Sequence, residues 1–203
     1  MSDYPPEPWF LGGRLLVSAF RVTAGEIPAF TIPDRRRPFR LFGKVVVGTA
    51  FVSYTPGGVL AYEELLVAIP SFGRGGFRVT ITQIWVDSPA SMAGGRELWG
   101  IPKQLATFTR ADATTVTMGE TASLASTLGG ALLPGTRQLP LPTLQWFDGR
   151  RILSHNRIVG HLRRLRTRWT FGGELAWLAT RKPIFSAAIV DASIVFGRKV
   201  ERS

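Results

Sequence analysis

Apolar positions along this 203-residue chain recur mainly with the two-residue period of half-buried strands. The segments RLLVSAFRV (14–22), KVVVGTAFVSY (44–54), LAYEELLVAIP (60–70) and FRVTITQIWV (77–86) are rich in valine, isoleucine, threonine and aromatic residues, and turn sequences such as TPGG and GRGG separate them. Short turns join strands into antiparallel neighbours, so this half of the chain predicts a meander. The period changes at DSPASMAGGRELWG (87–100). Asp87 or Ser88 can accept from the free first-turn N–H groups, Pro89 suits the first helical position, and Gly100 with Pro102 ends the helix. Gly94 and Gly95 each cost about 1 kcal/mol of helix stability relative to alanine, which points to close packing of this helix on the sheet.

Beyond the helix, QLATFTR, ATTVTMGE and ASLASTL (104–110, 113–120 and 122–128) predict short strands, and LPGTRQLPLPT (133–143) reads as a proline-rich link. Residues 144–171 predict a strand, a turn at Asp148 and Gly149, and more strand. In its last stretch His161, Arg163, Leu165, Thr167 and Trp169 share one face, while Arg164, Arg166 and Arg168 share the other, which suits water or a subunit contact. LAWLAT (175–180) predicts a short helix and FSAAIVDASIVFGR (185–198) a closing strand. With no repeat and no internal boundary, residues 1–203 are expected to form one domain.

Composition narrows what such a sheet protein can be. A hydrophobic content of 45% supports a folded core, and the absence of cysteine excludes disulfides, thiolate nucleophiles and cysteine-held metals. His155 and His161 are six residues apart on one strand face, too far to share a metal, so neither a metal nor a cofactor is expected. The start, MSDYPPEPWF, lacks the basic and then apolar run of a signal peptide, and no apolar stretch reaches the roughly 20 residues that span a bilayer. A cytoplasmic protein without membrane contact is the expectation. The formal charge of +11 invites a nucleic-acid reading, but the dense tracts DRRRPFR (34–40) and HLRRLRTRW (161–169) come with no nucleic-acid-binding motif. Nucleic acid is not expected as a partner.

Most catalytic signatures are missing: there is no G-x-S-x-G elbow, no H-E-x-x-H helix, no phosphate-binding loop and no strand followed by G-x-G-x-x-G. WGIPKQLA (99–106) remains. Lys44, Lys103, Lys182 and Lys199 are the only lysines among 25 basic side chains, and Lys103 stands among Trp99, Ile101, Leu105 and Ala106. Two readings are open at this point. Burial would favour the neutral amine, a nucleophile that forms a Schiff base with a carbonyl compound; alternatively the stem lies on apolar surface and the ammonium reaches water.

A wider pattern favours the first reading. YEELLVAIP (62–70) and ITQIWVDSPASMAGGRELWGIPKQLA (81–106), in this order and spacing, resemble the acetoacetate decarboxylase family, in which a strand glutamate is followed by a helix with a G-R-E core and a P-K motif carrying the Schiff-base lysine. The resemblance covers roughly residues 9 to 110. It implies a mainly β (α+β) fold, an antiparallel sheet curled into a barrel or cone around an apolar cavity, with a few short helices and assembly into a homo-oligomer. It also implies catalytic roles for Lys103 and Glu64, a carboxylate-binding role for Arg14 within one residue of alignment, and substrate-side positions for Tyr62, Trp99 and Gln104. Family members carry a second lysine where this chain has Gln104, and a second glutamate where it has Thr49. The activity implied is a Schiff-base-forming lyase for a small 2-oxo or β-keto acid, of decarboxylase or aldolase/dehydratase type. The alternative is a non-catalytic β-barrel protein that binds a small hydrophobic ligand.

Overall fold

The computed structural model describes residues 3–30, 32–112 and 114–203, so Ala113, the first residue of the strand expected at 113–120, lies outside it. The chain forms β1 (Trp9–Val22), β2 (Arg37–Pro38), β3 (Arg40–Leu41), β4 (Lys44–Thr55), β5 (Tyr62–Gly73) and β6 (Gly76–Val86) before the helix α1 (Pro89–Trp99). Then come β7 (Lys103–Leu105), β8 (Phe108–Arg110), β9 (Thr115–Met118), β10 (Ala122–Pro140), β11 (Thr143–Phe147), β12 (Arg150–Phe171), a 3-10 turn at Gly173–Leu178, and β13 (Phe185–Arg202).

All the strands belong to one mainly antiparallel sheet. Its path runs β11-β6-β5-β4-β1-β13-β12, and β11 also pairs with β12, so these seven strands curl into a ring. The seam is narrow. Strands β11 and β6 are parallel and share a single residue pair, Thr143 with Val79, and the side chain of Gln145 extends the closure by accepting from the Ile81 N–H at 3.2 Å and donating to its C=O at 3.0 Å.

Strand alternation separates two cores. Leu11, Leu15, Ala50, Val52, Tyr62 and Ala68 point to one face, with Trp99 and Ile101, and enclose the ring's interior. Leu16, Phe20, Val47, Phe51, Leu65 and Val67 point to the opposite face and pack against Val116, Met118, Leu124 and Phe171 of the sheet's continuation, and against Leu175 and Leu178. An added residue in β6, where Val67 pairs with Gln83 but Ala68 with Ile81, reverses the alternation. Val79, Ile81, Ile84 and Val86 therefore all reach the interior cluster although their numbers change parity.

One expectation changes. LPGTRQLPLPT is not a link but in large part the end of β10, which runs on to Pro140. It is tolerated because β10 pairs with β9 only over Ala122–Ala125, leaving a free edge on which a missing N–H breaks no ladder bond, while two register shifts absorb the glycines and Pro134. Arg36, in the dense basic tract 34–40, is buried: its guanidinium donates to Ser71 Oγ and to the carbonyls of Arg74 and Gly76, clamping the β5–β6 turn. Arg164, Arg166 and Arg168 do lie on an exposed face.

Candidate active site

Lys103 enters the ring through the way the helix ends. Ser88 caps α1 by accepting from the Ser91 N–H at 3.2 Å, and Gly100 closes it in the left-handed region (φ 63°) with its N–H bonded to the Arg96 carbonyl. The chain then turns at Ile101 and Pro102 and lays β7 parallel to β6, pairing Lys103 with Ile84. Arg96, exposed on the helix, holds the Lys103 carbonyl through Nε at 2.6 Å. Because Lys103 is level with Ile84, it shares that residue's inward direction, and Gln104, level with Trp85, takes the opposite one.

Lys103 is 4% exposed, whereas Lys44, Lys182 and Lys199 are exposed. Its Nζ donates to Glu64 Oε2 at 2.9 Å, Ser91 Oγ at 2.8 Å and Tyr62 Oη at 3.3 Å, so each of the three ammonium hydrogens has an acceptor. Glu64 is 3% exposed, and its other oxygen accepts from Tyr54 Oη at 3.3 Å. Tyr54 and Tyr62 face each other across β4 and β5 with ring centroids 4.4 Å apart. The group borders a cavity of about 50 Å³ inside the ring, walled by Leu11, Leu15, Ile81, Trp99, Ile101 and Ile158 among others.

Electrostatics correct the sequence argument. Burial by itself pulls the Lys103 amine towards its neutral form, but the Glu64 carboxylate, then Tyr62, outweigh it, and the pKa lies above the ordinary lysine value. The resting side chain is an ammonium in a buried ion pair. Burial pushes Tyr62 up to about 12, Lys103 opposing, and raises Tyr54 well above the ordinary tyrosine value, with Glu64 adding to the rise in both. Both phenols are therefore neutral donors at ordinary pH.

The structure brings Lys103, Glu64, Tyr62 and Trp99 together at the cavity; two other expected residues lie elsewhere. Gln104 is exposed, directed away by strand alternation. Arg14 is level with Ser53 and belongs to the face of β1 opposite Leu11 and Leu15. It sits near Arg110 and Glu63, where burial and then the Arg110 charge pull its pKa below the usual arginine value. Arg110 itself donates to Glu63 Oε2 at 2.9 Å and Ser53 Oγ at 2.6 Å. One step of strand register decides the face. Trp99 is wall, not donor, to the cavity, since its Nε1–H is taken by Glu7 Oε2 at 3.0 Å.

Sequence reasoning missed Ser91 and Tyr54 as partners of the pair. The available signal for Ser91 was its place four residues before Gly95 on one helix face; Tyr54 was level with Tyr62 in the meander. The close packing expected of Gly94 and Gly95 is seen, and at Gly95 the neighbour is the Lys103 stem. A Cβ there would lie 2.6 Å from Lys103 Cδ, so the glycine leaves room for the lysine stem, while Gly94 does the same for the Trp9 ring. Thr49, on the outer face of β4, is fully buried with no hydrogen-bond partner for its hydroxyl, and is remote in direction from the amine.

The site is thus a buried lysine–glutamate pair enclosed by a curled, mainly antiparallel sheet. A family model described as acetoacetate decarboxylase (ADC) matches residues 1–132, and the chain belongs to that family. No curated protein matches its sequence. Among solved structures, an acetoacetate decarboxylase aligns with a TM-score of 0.73 at 16% identity, over 99% of this chain and 91% of that one. The acetoacetate decarboxylase from Legionella pneumophila gives 0.72 at 15% identity, over 100% and 90%. The enduracididine biosynthesis enzyme MppR complexed with pyruvate gives 0.69 at 16% identity, over 98% and 91%. At these identities the likeness is one of fold.

Proposed function

We propose that this protein is a carbon–carbon lyase that works through a Schiff base on Lys103. The observation that carries the reading is the buried Lys103–Glu64 pair at 2.9 Å on the wall of an otherwise apolar cavity, in a chain of the acetoacetate decarboxylase family. Glu64 takes a proton from the ammonium when a carbonyl compound enters, and the freed lone pair attacks the carbonyl carbon. Return of that proton to the carbinolamine oxygen releases water and leaves an iminium ion. The iminium draws electrons from the neighbouring carbon, so that a bond there, to carbon dioxide, to an aldehyde carbon or to hydrogen, can break; Glu64 is placed to move the proton. Tyr54 and Tyr62 hold the carboxylate. The substrate class expected from the family is a 2-oxo or β-keto acid, and MppR is described as complexed with pyruvate. The reading takes residues 1–203 as one unit and includes a cytoplasmic homo-oligomer, for which the exposed face of Arg164, Arg166 and Arg168 is the contact surface.

Reductive trapping tests it. Cyanoborohydride with a panel of carbonyl compounds is expected to add a fixed mass to the peptide containing Lys103, and Lys103→Ala to abolish the adduct. The second reading, a cavity protein that binds without turnover, is favoured by one observation, the use of all three ammonium hydrogens in the resting site. Failure of every carbonyl compound to label Lys103 would favour it.

A further inference from the structure

The charges inside the ring limit what it can hold. Among the described residues that line the cavity, Lys103 and Glu64 are the only charged ones, and they neutralise each other. Most of the rest of the wall is aliphatic or indole: Leu11, Leu15, Ile81, Ile158 and Ile194 with Trp9. Neither position that carries a cation in the family's pattern supplies one to the cavity. Arg14 lies on the other face of β1, engaged near Glu63 and Arg110, and position 104 holds a neutral glutamine that points away. The two phenolic hydroxyls that reach the site, those of Tyr54 and Tyr62, are turned on the Glu64 carboxylate.

We infer that the site takes an uncharged, apolar carbonyl compound, a simple ketone or aldehyde, in preference to a keto acid. This deepens the Schiff-base reading and rests on it. The charge balance of the reaction supports it. An ammonium and a neutral carbonyl compound yield an iminium ion and water, so one positive charge is present before and after, and Glu64, which carries the proton only in between, is its counter-ion at both ends. The new C=N bond replaces C=O, the oxygen leaves as water with two of the nitrogen's hydrogens, and nothing is oxidised or reduced. A keto acid brings a second carboxylate into the same small apolar space. No cation in the wall is free to receive it, and Glu64 repels it; an unpaired buried charge is among the most costly groups a protein can hold. Bond cleavage next to an iminium that carries no carboxylate then means loss of an α-proton or of an aldehyde by retro-aldol reaction, since carbon dioxide can leave only from a carboxylate.

Labelling of the full chain with cyanoborohydride can compare 2-hexanone with 4-oxopentanoate, which offer the same methyl ketone with and without a carboxylate, each normalised to its labelling of free Nα-acetyllysine. Acetoacetate forms a third arm. The expected result is labelling of Lys103 at least about tenfold faster by 2-hexanone than by either acid at neutral pH. Equal or faster labelling by 4-oxopentanoate or acetoacetate would overturn this inference while leaving the Schiff-base reading intact. No labelling by any of the three, with butanal also inert, would overturn both.

Discussion

Gly95 on the inner face of α1 stands against the Lys103 stem so closely that an added methyl group would be 2.6 Å from Cδ and 2.8 Å from Cε. The helix accepts glycine there in order to pass the lysine. Gly95→Ala should therefore have opposing effects: a gain of about 1 kcal/mol in helix propensity against an overpacking cost of roughly 1–3 kcal/mol. Net stability should change by no more than about 2 kcal/mol, whereas reductive labelling of Lys103 should fall about tenfold or more, because a displacement of the order of 1 Å at the reacting atom is enough. Thermal unfolding and labelling rate on the same sample check this. Unchanged labelling would show that the stem can move aside.

Glu64 and Lys103 should respond differently to removal. Glu64→Gln takes away the charge that raises the amine's pKa and leaves burial to lower it, so the pH at which labelling sets in should move downward. Turnover of any substrate should nonetheless fall by about 10²–10⁴, the usual worth of a positioned acid–base group. Lys103→Ala should abolish labelling and cost about 3–5 kcal/mol, since it leaves a buried carboxylate without its partner. Labelling against pH and turnover rates for Glu64→Gln, and labelling with denaturant unfolding for Lys103→Ala, each beside the parent protein, check these outcomes.

Alkaline pH should weaken the fold through this site. The folded Lys103 and Tyr62 bind their protons more tightly than an unfolded chain does, so their contribution is complete below the ordinary values near 10 and is lost as pH rises through the folded ones, for Tyr62 up to about 12. Stability should thus decline between about pH 10 and 12, and less steeply in a Tyr62→Phe, Lys103→Met double variant. Unfolding curves at several pH values across that window would decide. An identical slope in parent and variant would place the loss elsewhere.

Two substitutions test the faces of the strands. Gln104→Lys adds a charge on the exposed side of β7 and should leave the pH profile of Lys103 labelling within experimental error of the parent. Arg14→Ala should likewise leave labelling intact, while relieving the like-charge repulsion on Arg110 beside Glu63. A downward shift of the profile in Gln104→Lys, or loss of labelling in Arg14→Ala, would show that these groups reach the cavity.

Much of this site could be read from residues near one another in sequence. The α1 boundaries follow from Ser88, Pro89 and Gly100, whose capping chemistry is local, and Lys103 and Glu64 stood out because a motif of fixed spacing carried them. Arg14 and Gln104 were placed in the site by the same resemblance, and strand parity puts them outside it. Parity is sensitive to single residues: the extra residue in β6 that turns both Ile81 and Ile84 inward has no marker in ITQIW.

Neighbouring residues are enough to specify that the chain is mainly strands, where the helix at 89–99 starts and stops, and that Lys103 is set apart from the other lysines. These are properties of local dihedral preference, capping and hydrophobic period, which act over a few residues. The folded arrangement alone sets the sign of the Lys103 pKa shift, because that depends on whether desolvation or Glu64, 39 positions away in the chain, wins at 2.9 Å. It also decides that no second cation faces the cavity among the described lining residues, since electrostatic energy depends on distance through space and on burial, and neither is written in the order of the residues.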